Sequence, residues 1–197
     1  MYDPQISGKR LTFGVTGKLY KSGLVMYDRE TQSLWSQLLQ QAITGPLTGS
    51  VLKMLPAEHT TWESWRAQYP KCLVLSPETG FKRDYGLNPY QEYWEQGRPT
   101  FRGAGGHATT NTKSKIRPME RVLGIEVSGI HKAYPFSILK KKPGQFADQV
   151  GNKALFVHFD KKSETAYVSD QTGVVWPSIT VFWFAWQDFY PQTLVYE

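Results

Sequence analysis

The chain has 197 residues, 40% of them hydrophobic and 14% aromatic, which is enough to bury a real core and excludes a disordered chain. A formal charge of +6 favours acidic partners by steering but is too modest to demand nucleic acid. The single cysteine, Cys72, excludes an intrachain disulfide, and no apolar run reaches the length of a membrane span.

The N-terminus, MYDPQISGKR, is polar from the start. No signal peptide is visible in it, so a soluble, cytoplasmic protein is the expectation for the sequence as written. LTFGV at 11–15, Leu19-Tyr20 and residues 24–27 read as short strands of closely spaced hairpins. DRETQSLW at 28–35 leads into 36–43, where a short helix and an irregular β segment both remain open. Gly45-Pro46 and Thr48-Gly49 are turns, and 51–55 is a strand candidate. Residues 56–67 read as a helix with Thr60 or Thr61 as N-cap; Glu63 stands at capping-box spacing from Thr60. Trp62, Trp65 and Tyr69 share one face of it. Pro70 stops the helix, and 72–75 is read as a strand holding a buried structural thiol.

Residues 77–97 read as an irregular connection anchored by Tyr85, Tyr90, Tyr93 and Trp94. Residues 98–118 are Gly-rich and basic and read as a flexible linker or lid. GAGG within them lacks the spacing and lysine of a phosphate loop. VLGIEV at 122–127 and 131–134 form a hairpin about Ser128-Gly129, and Pro135 opens a short helix to Leu139. Residues 146–150 have weak helical character. ALFVHF at 154–159 is a strong strand, with a return at 165–168.

The chain repeats itself. TWESWRAQYPKCLVLS (61–76) returns as FWFAWQDFYPQTLVYE (182–197) at a constant offset of 121 residues. DRETQSLW parallels DQTGVVW (170–176) at an offset of 141, so the second copy is 20 residues shorter in between. This predicts an α+β, β-dominated fold of two repeat-related halves of short antiparallel strands, each ending in an aromatic helix and a strand. The expected division is 1–97, then the connection 98–118, then 119–197. Trp62, Trp65, Tyr69 and Pro70, with Trp183, Trp186, Tyr190 and Pro191, are read as a duplicated structural clamp. The first copy has no counterpart of the 122–134 hairpin, so it reads as N-terminally incomplete. Exposed edges and apolar surface there make a homodimer the expected assembly.

Chemistry is sparse. His59, His107, His131 and His158 show no i,i+4 pair, and neither CxxC nor HExxH occurs, so no metal or cofactor is assigned. His158, in its apolar strand, reads as a structural imidazole. The candidate pocket is Asp28, Arg29, Ser33 and Gln37, where an apolar hairpin ends in a carboxylate, a guanidinium and hydroxyls suited to a small polar ligand. The leading reading is a binding or structural module without catalysis. The first alternative is an enzyme acting on a small polar substrate in that pocket, completed by the 98–118 loop. The second is weak anion or nucleic-acid binding through Lys113, Lys115 and Arg117.

LTFGVTGKLYKSGLVMYDRETQSLWSQ (11–37) and AITGPLTGSVLKMLPAEHTTWESWRAQYPKCLVLS (42–76) together resemble the bacterial and archaeal DUF3179 domain family, whose biochemical role is undefined. ERVLGIEVSGIHKAYPF (120–136), FADQVGNKALFV (146–157) and FWFAWQDFYP (182–191) carry the same resemblance. The resemblance implies an upstream segment with a Cys-Pro-Leu-Cys-Gly motif as the family's metal or redox candidate. The present sequence begins after that motif, and Cys72 does not occupy its place, so the resemblance assigns no cofactor here. It also implies relatives that are often exported or lipid-anchored. Lys21 and Gly23 stand where relatives often carry Asn and Asp.

Overall fold

Short period-two strands joined by tight turns set the architecture. A computed structural model of the chain describes residues 1–88, 90–97 and 115–197. A small hairpin, β1 (Gln5–Ile6) and β2 (Lys9–Arg10), precedes an antiparallel meander. The meander consists of β3 (Phe13–Tyr20), β4 (Gly23–Asp28), β5 (Leu34–Ser36) and β6 (Gln41–Thr44). Helix α1 (Trp62–Gln68) and a second short helix, α2 (Gln91–Gln96), follow. β7 (Arg121–Val127) and β8 (Ile130–Pro135) form the next hairpin. Its turn residues Ser128 and Gly129 both have positive φ, 50° and 81°, as a two-residue turn matched to strand twist requires.

A one-turn helix, α3 (Phe136–Leu139), leads into the second meander. Its strands are β9 (Gly144–Val150), β10 (Lys153–Asp160), β11 (Thr165–Asp170) and β12 (Val175–Trp176). β13 (Ser178–Phe182) returns antiparallel to β7, α4 (Trp183–Phe189) follows, and β14 (Leu194–Val195) pairs in parallel with β8. The protein is therefore a β-dominated α+β fold with repeated sheet and helix units. The largest core lies between β7–β8 and the second meander: Leu155, Val157 and Phe159 meet Leu123, Ile125 and Tyr134. A smaller one gathers Ile6, Leu11, Ala42 and Leu52 around Trp35. Burying such side chains contributes about 1.5–3 kcal/mol each.

The duplication is visible in register. Phe13 opposes Asp28 and Met26 opposes Trp35; in the second meander Leu155 opposes Asp170 and Val168 opposes Trp176. The two aromatic helices are the same locally. α1 is flanked by Thr61 at φ −76°, ψ 152° and Tyr69 at −126°, 70°; α4 by Phe182 at −75°, 145° and Tyr190 at −125°, 69°. The Trp65–Tyr69 and Trp186–Tyr190 centroid distances are 4.4 and 4.5 Å.

Several expectations are corrected. Residues 146–150 belong to a strand, because Phe146 and Val150 alternate inward and the segment pairs along β10. Residues 51–55 contribute isolated bridges at Val51 and Met54 rather than a strand. The first helix begins at Trp62, where Thr61 Oγ1 accepts from Ser64 N at 3.3 Å. Residues 72–75 make no strand: Leu73 is wholly exposed, and Cys72 is half-buried in a loop. The irregular connection contains α2, whose Trp94 meets Phe182 edge-on at 5.2 Å. The linker expected over 98–118 lies outside the described residues except for 115–118.

The clamp divides. Trp183, Trp186 and Phe189 of α4 are buried, whereas α1 has no buried residue. Trp62 and Trp65 are 50% and 36% exposed against 4% and 3% for Trp183 and Trp186. The reason is tertiary: β7 and β8 cover α4, and no strand of the described residues covers the equivalent face of α1. Among the described residues no helix is long and apolar enough to cross a membrane.

Candidate functional site

The Asp28 group is built around a turn. Asp28 is fully enclosed. Its carboxylate accepts from Trp35 Nε1 at 2.8 Å, from Thr31 Oγ1 at 2.8 Å and from the Thr31 amide at 2.5 Å. Burial pushes its pKa up, but the hydrogen bonds from Trp35, Thr31 and the backbone outweigh burial and hold it below the usual carboxylate range. Ser33 Oγ, also buried, lies 2.7 Å from Thr31 Oγ1 and accepts from the Leu47 amide at 3.1 Å. Arg29 is exposed and donates to the Phe13 carbonyl at 2.6 Å. Gln37 is half-buried, and its carbonyl accepts from Tyr2 Oη at 2.5 Å. Chemically, this arrangement closes one turn and fixes the loop beyond it.

A cleft of about 740 Å³ lies elsewhere, between α1 and the outer face of β10–β11. Period-two alternation assembles its floor. Val157, Phe159, Ala166 and Val168 point into the core, so His158, Tyr167 and Ser169 point to the other face. His158 Nε2 and Ser169 Oγ are 2.8 Å apart, and the His158 and Tyr167 rings stack at 4.3 Å. Desolvation lowers the His158 pKa and so favours the neutral imidazole. Trp65 and Tyr69 form the facing wall. Thr165 Oγ1 donates to Thr60 Oγ1 at 2.7 Å and ties the start of α1 to β11. A Lys162–Glu63 ion pair at 3.1 Å joins the same elements, but both partners are exposed and it contributes little.

The other helix makes the reciprocal contact. Tyr190 Oη donates to the Leu38 carbonyl at 2.6 Å, and Ser22 Oγ donates to Asp188 Oδ2 at 3.1 Å. Phe189 covers Gly23 so closely that a Cβ there would lie 2.9 Å from its ring. α4 thus rests on the β3–β4 turn of the first half, and α1 rests near the β10–β11 turn of the second. Behind α4, however, the space bounded by Tyr2, Gly124, His131, Trp186 and Tyr190 is only about 10 Å³.

A family model described as a protein of unknown function, DUF3179, matches residues 1–175. The chain belongs to the DUF3179 family. No curated protein matches it, and no solved structure does. In this DUF3179 chain no group of three or more His, Cys, Asp and Glu side chains is placed to hold a metal among the described residues. His107 and Lys113 lie outside those residues, as does most of the basic loop proposed to hold an anion.

Sequence reasoning placed His158 in its strand but did not bring it to a cleft. The signal was present in the alternation of ALFVHF and TAYVSD, which puts His158, Tyr167 and Ser169 on the polar side. What was missing was the pairing of Phe156 with Ser169 and of His158 with Tyr167, and the long-range placement of α1 over them.

Proposed function

We propose that this protein is a binding module and that its binding site is the cleft between α1 and the β10–β11 face. The observation that carries this reading is the pair of exposed rings, Trp65 and Tyr69, held opposite the His158–Ser169 pair across about 740 Å³. Concave apolar walls with a few convergent polar groups are the usual makeup of a ligand site. The Asp28 group does not enter this reading, since its carboxylate is spent on Trp35 and Thr31. A neutral apolar dye, N-phenyl-1-naphthylamine, tests the site. It should bind saturably, and Trp65→Ala with Tyr69→Ala should weaken it at least about tenfold. Unchanged affinity in the double variant would remove the cleft as the site.

A second reading, a homodimer through the same surface, is favoured by the exposed run of Leu73, Val74 and Leu75 beside the rings. Sedimentation at rising protein concentration separates the two. A dimer whose formation is lost in Trp62→Ser with Leu73→Ser would support self-association.

A further inference from the structure

We infer that the natural occupant of this cleft is a β-hairpin of the β7–β8 kind, carried by a polypeptide segment other than residues 1–197. This inference rests on the cleft being the binding site and names what fills it.

The protein contains its own filled copy of the site. α4 reproduces α1 in cap geometry and ring pairing. In both, the residue three beyond the capping Tyr donates its amide back to that Tyr carbonyl at 3.0 Å, Cys72 to Tyr69 and Thr193 to Tyr190. On α4, β7 brings Gly124 flat against Trp186, so close that a Cβ would lie 2.3 Å from the indole. β8 stacks His131 on Tyr190 at 3.8 Å. The strand after the Tyr-Pro then pairs in parallel with Lys132 and Ala133 of β8. With the hairpin seated, about 10 Å³ is left.

On α1 the same rings stand open over about 740 Å³. Leu73 and Val74, the counterparts of Leu194 and Val195, have no strand to join among the described residues and are 100% and 61% exposed. The two sites differ by one hairpin. The missing element is therefore specified chemically. Its first strand needs a glycine opposite Trp65, its second a flat ring over Tyr69, and the second strand's edge must accept Leu73 and Val74 in parallel pairing. Glu58 and Asp160 border the cleft and complement a basic residue such as Lys132 supplies in β8. A second copy of this chain does not meet the specification. Its β7–β8 hairpin already covers its own α4, and transferring it would uncover as much as it covers.

The test uses the whole chain and a synthetic peptide with the sequence of residues 121–135. That peptide contains no Trp, so a blue shift of Trp emission reports burial of rings in the protein. We expect a saturable shift, weakened at least about tenfold by Gly124→Leu in the peptide or by Trp65→Ala in the protein. α1 has no buried residue, so the protein variant keeps its fold. Absence of a saturable shift, or equal binding of the Gly124→Leu peptide, overturns the inference. So does a concentration-dependent dimer that already shields Trp62 and Trp65 and excludes the peptide. If the peptide fails while the naphthylamine dye still binds in a Trp65-dependent way, only the hairpin is refuted. If both fail, the cleft itself is refuted.

Discussion

α1 and α4 are two copies of one sequence element in two different environments. Their caps agree within a few degrees and their ring pairs within about 0.1 Å, yet α4 is part of the core and α1 is not. Local sequence is therefore sufficient to shape the helix, to set its Tyr-Pro exit and to pair Trp with Tyr. It is not sufficient to bury the result. Burial depends on Gly124 and on the β7–β8 hairpin, more than fifty residues away in sequence from Trp186.

The strongest way to break this comparison is to truncate the covered ring. Trp186→Ala should destabilise the protein by roughly 3–5 kcal/mol, measured as a fall in the urea midpoint at constant slope. The turn clamp offers the next contrast. Asp28 and Asp170 occupy matching positions, and both accept from a Thr, at 31 and 172. Only Asp28 also holds an indole: Trp35 donates to it, while Trp176 donates to the Glu126 carbonyl. Asp28→Asn should cost about 1.5–3 kcal/mol, the range for hydrogen bonds to a charged group. Asp170→Asn, at a half-buried carboxylate that holds no indole, should shift the midpoint less.

Acid sharpens the same contrast. Because the folded-state pKa of Asp28 is depressed, its contribution is complete above its unfolded value, near about 3.9, and is lost as pH falls through the folded value. The wild-type protein should lose stability over that window, and Asp28→Asn should lose less. His131 acts at higher pH. Its pKa is lowered by burial against α4, with Glu126 opposing that shift. A neutral imidazole is thus favoured in the fold, so stability is full above about 6.5 and declines as pH drops below it. A guanidine midpoint series from pH 7.5 to about 5 should show this decline, and His131→Gln should flatten it. Trp65→Ala is the smallest expected effect, under about 1 kcal/mol, since the ring is not enclosed. A loss as large as that of Trp186→Ala would mean α1 is covered in solution.

Much of the fold was legible because the chain says the same thing twice. The repeat, the Ser128-Gly129 hairpin and the ALFVHF strand each follow from a local pattern of turn residues and alternating apolar positions. The misreadings fall where tertiary pairing decides. FADQV at 146–150 carries ambiguous local preference and becomes a strand because β10 offers it an edge. CLVL at 72–75 has strong strand preference and stays out of any strand because no edge is offered to it among the described residues. The candidate site shows the same limit. Asp28, Arg29, Ser33 and Gln37 stand out in the sequence as dense polarity beside a strand; in the fold Asp28 and Ser33 hydrogen-bond within the turn, while Arg29 reaches the Phe13 carbonyl and the Gln37 carbonyl meets Tyr2. His158, Tyr167 and Ser169 lie on two strands and meet only through register, and Trp65 and Tyr69 reach them across about ninety residues of sequence.

The sequence by itself determined the duplicated helices, their caps and ring pairs, and the tight turns. All of these depend on contacts within a few residues and on backbone preferences that act locally. Only the tertiary structure decided which copy is enclosed, which strand-like run finds a partner and where a cleft remains. Those outcomes depend on surfaces brought together from distant parts of the chain, and burial is a property of both surfaces at once.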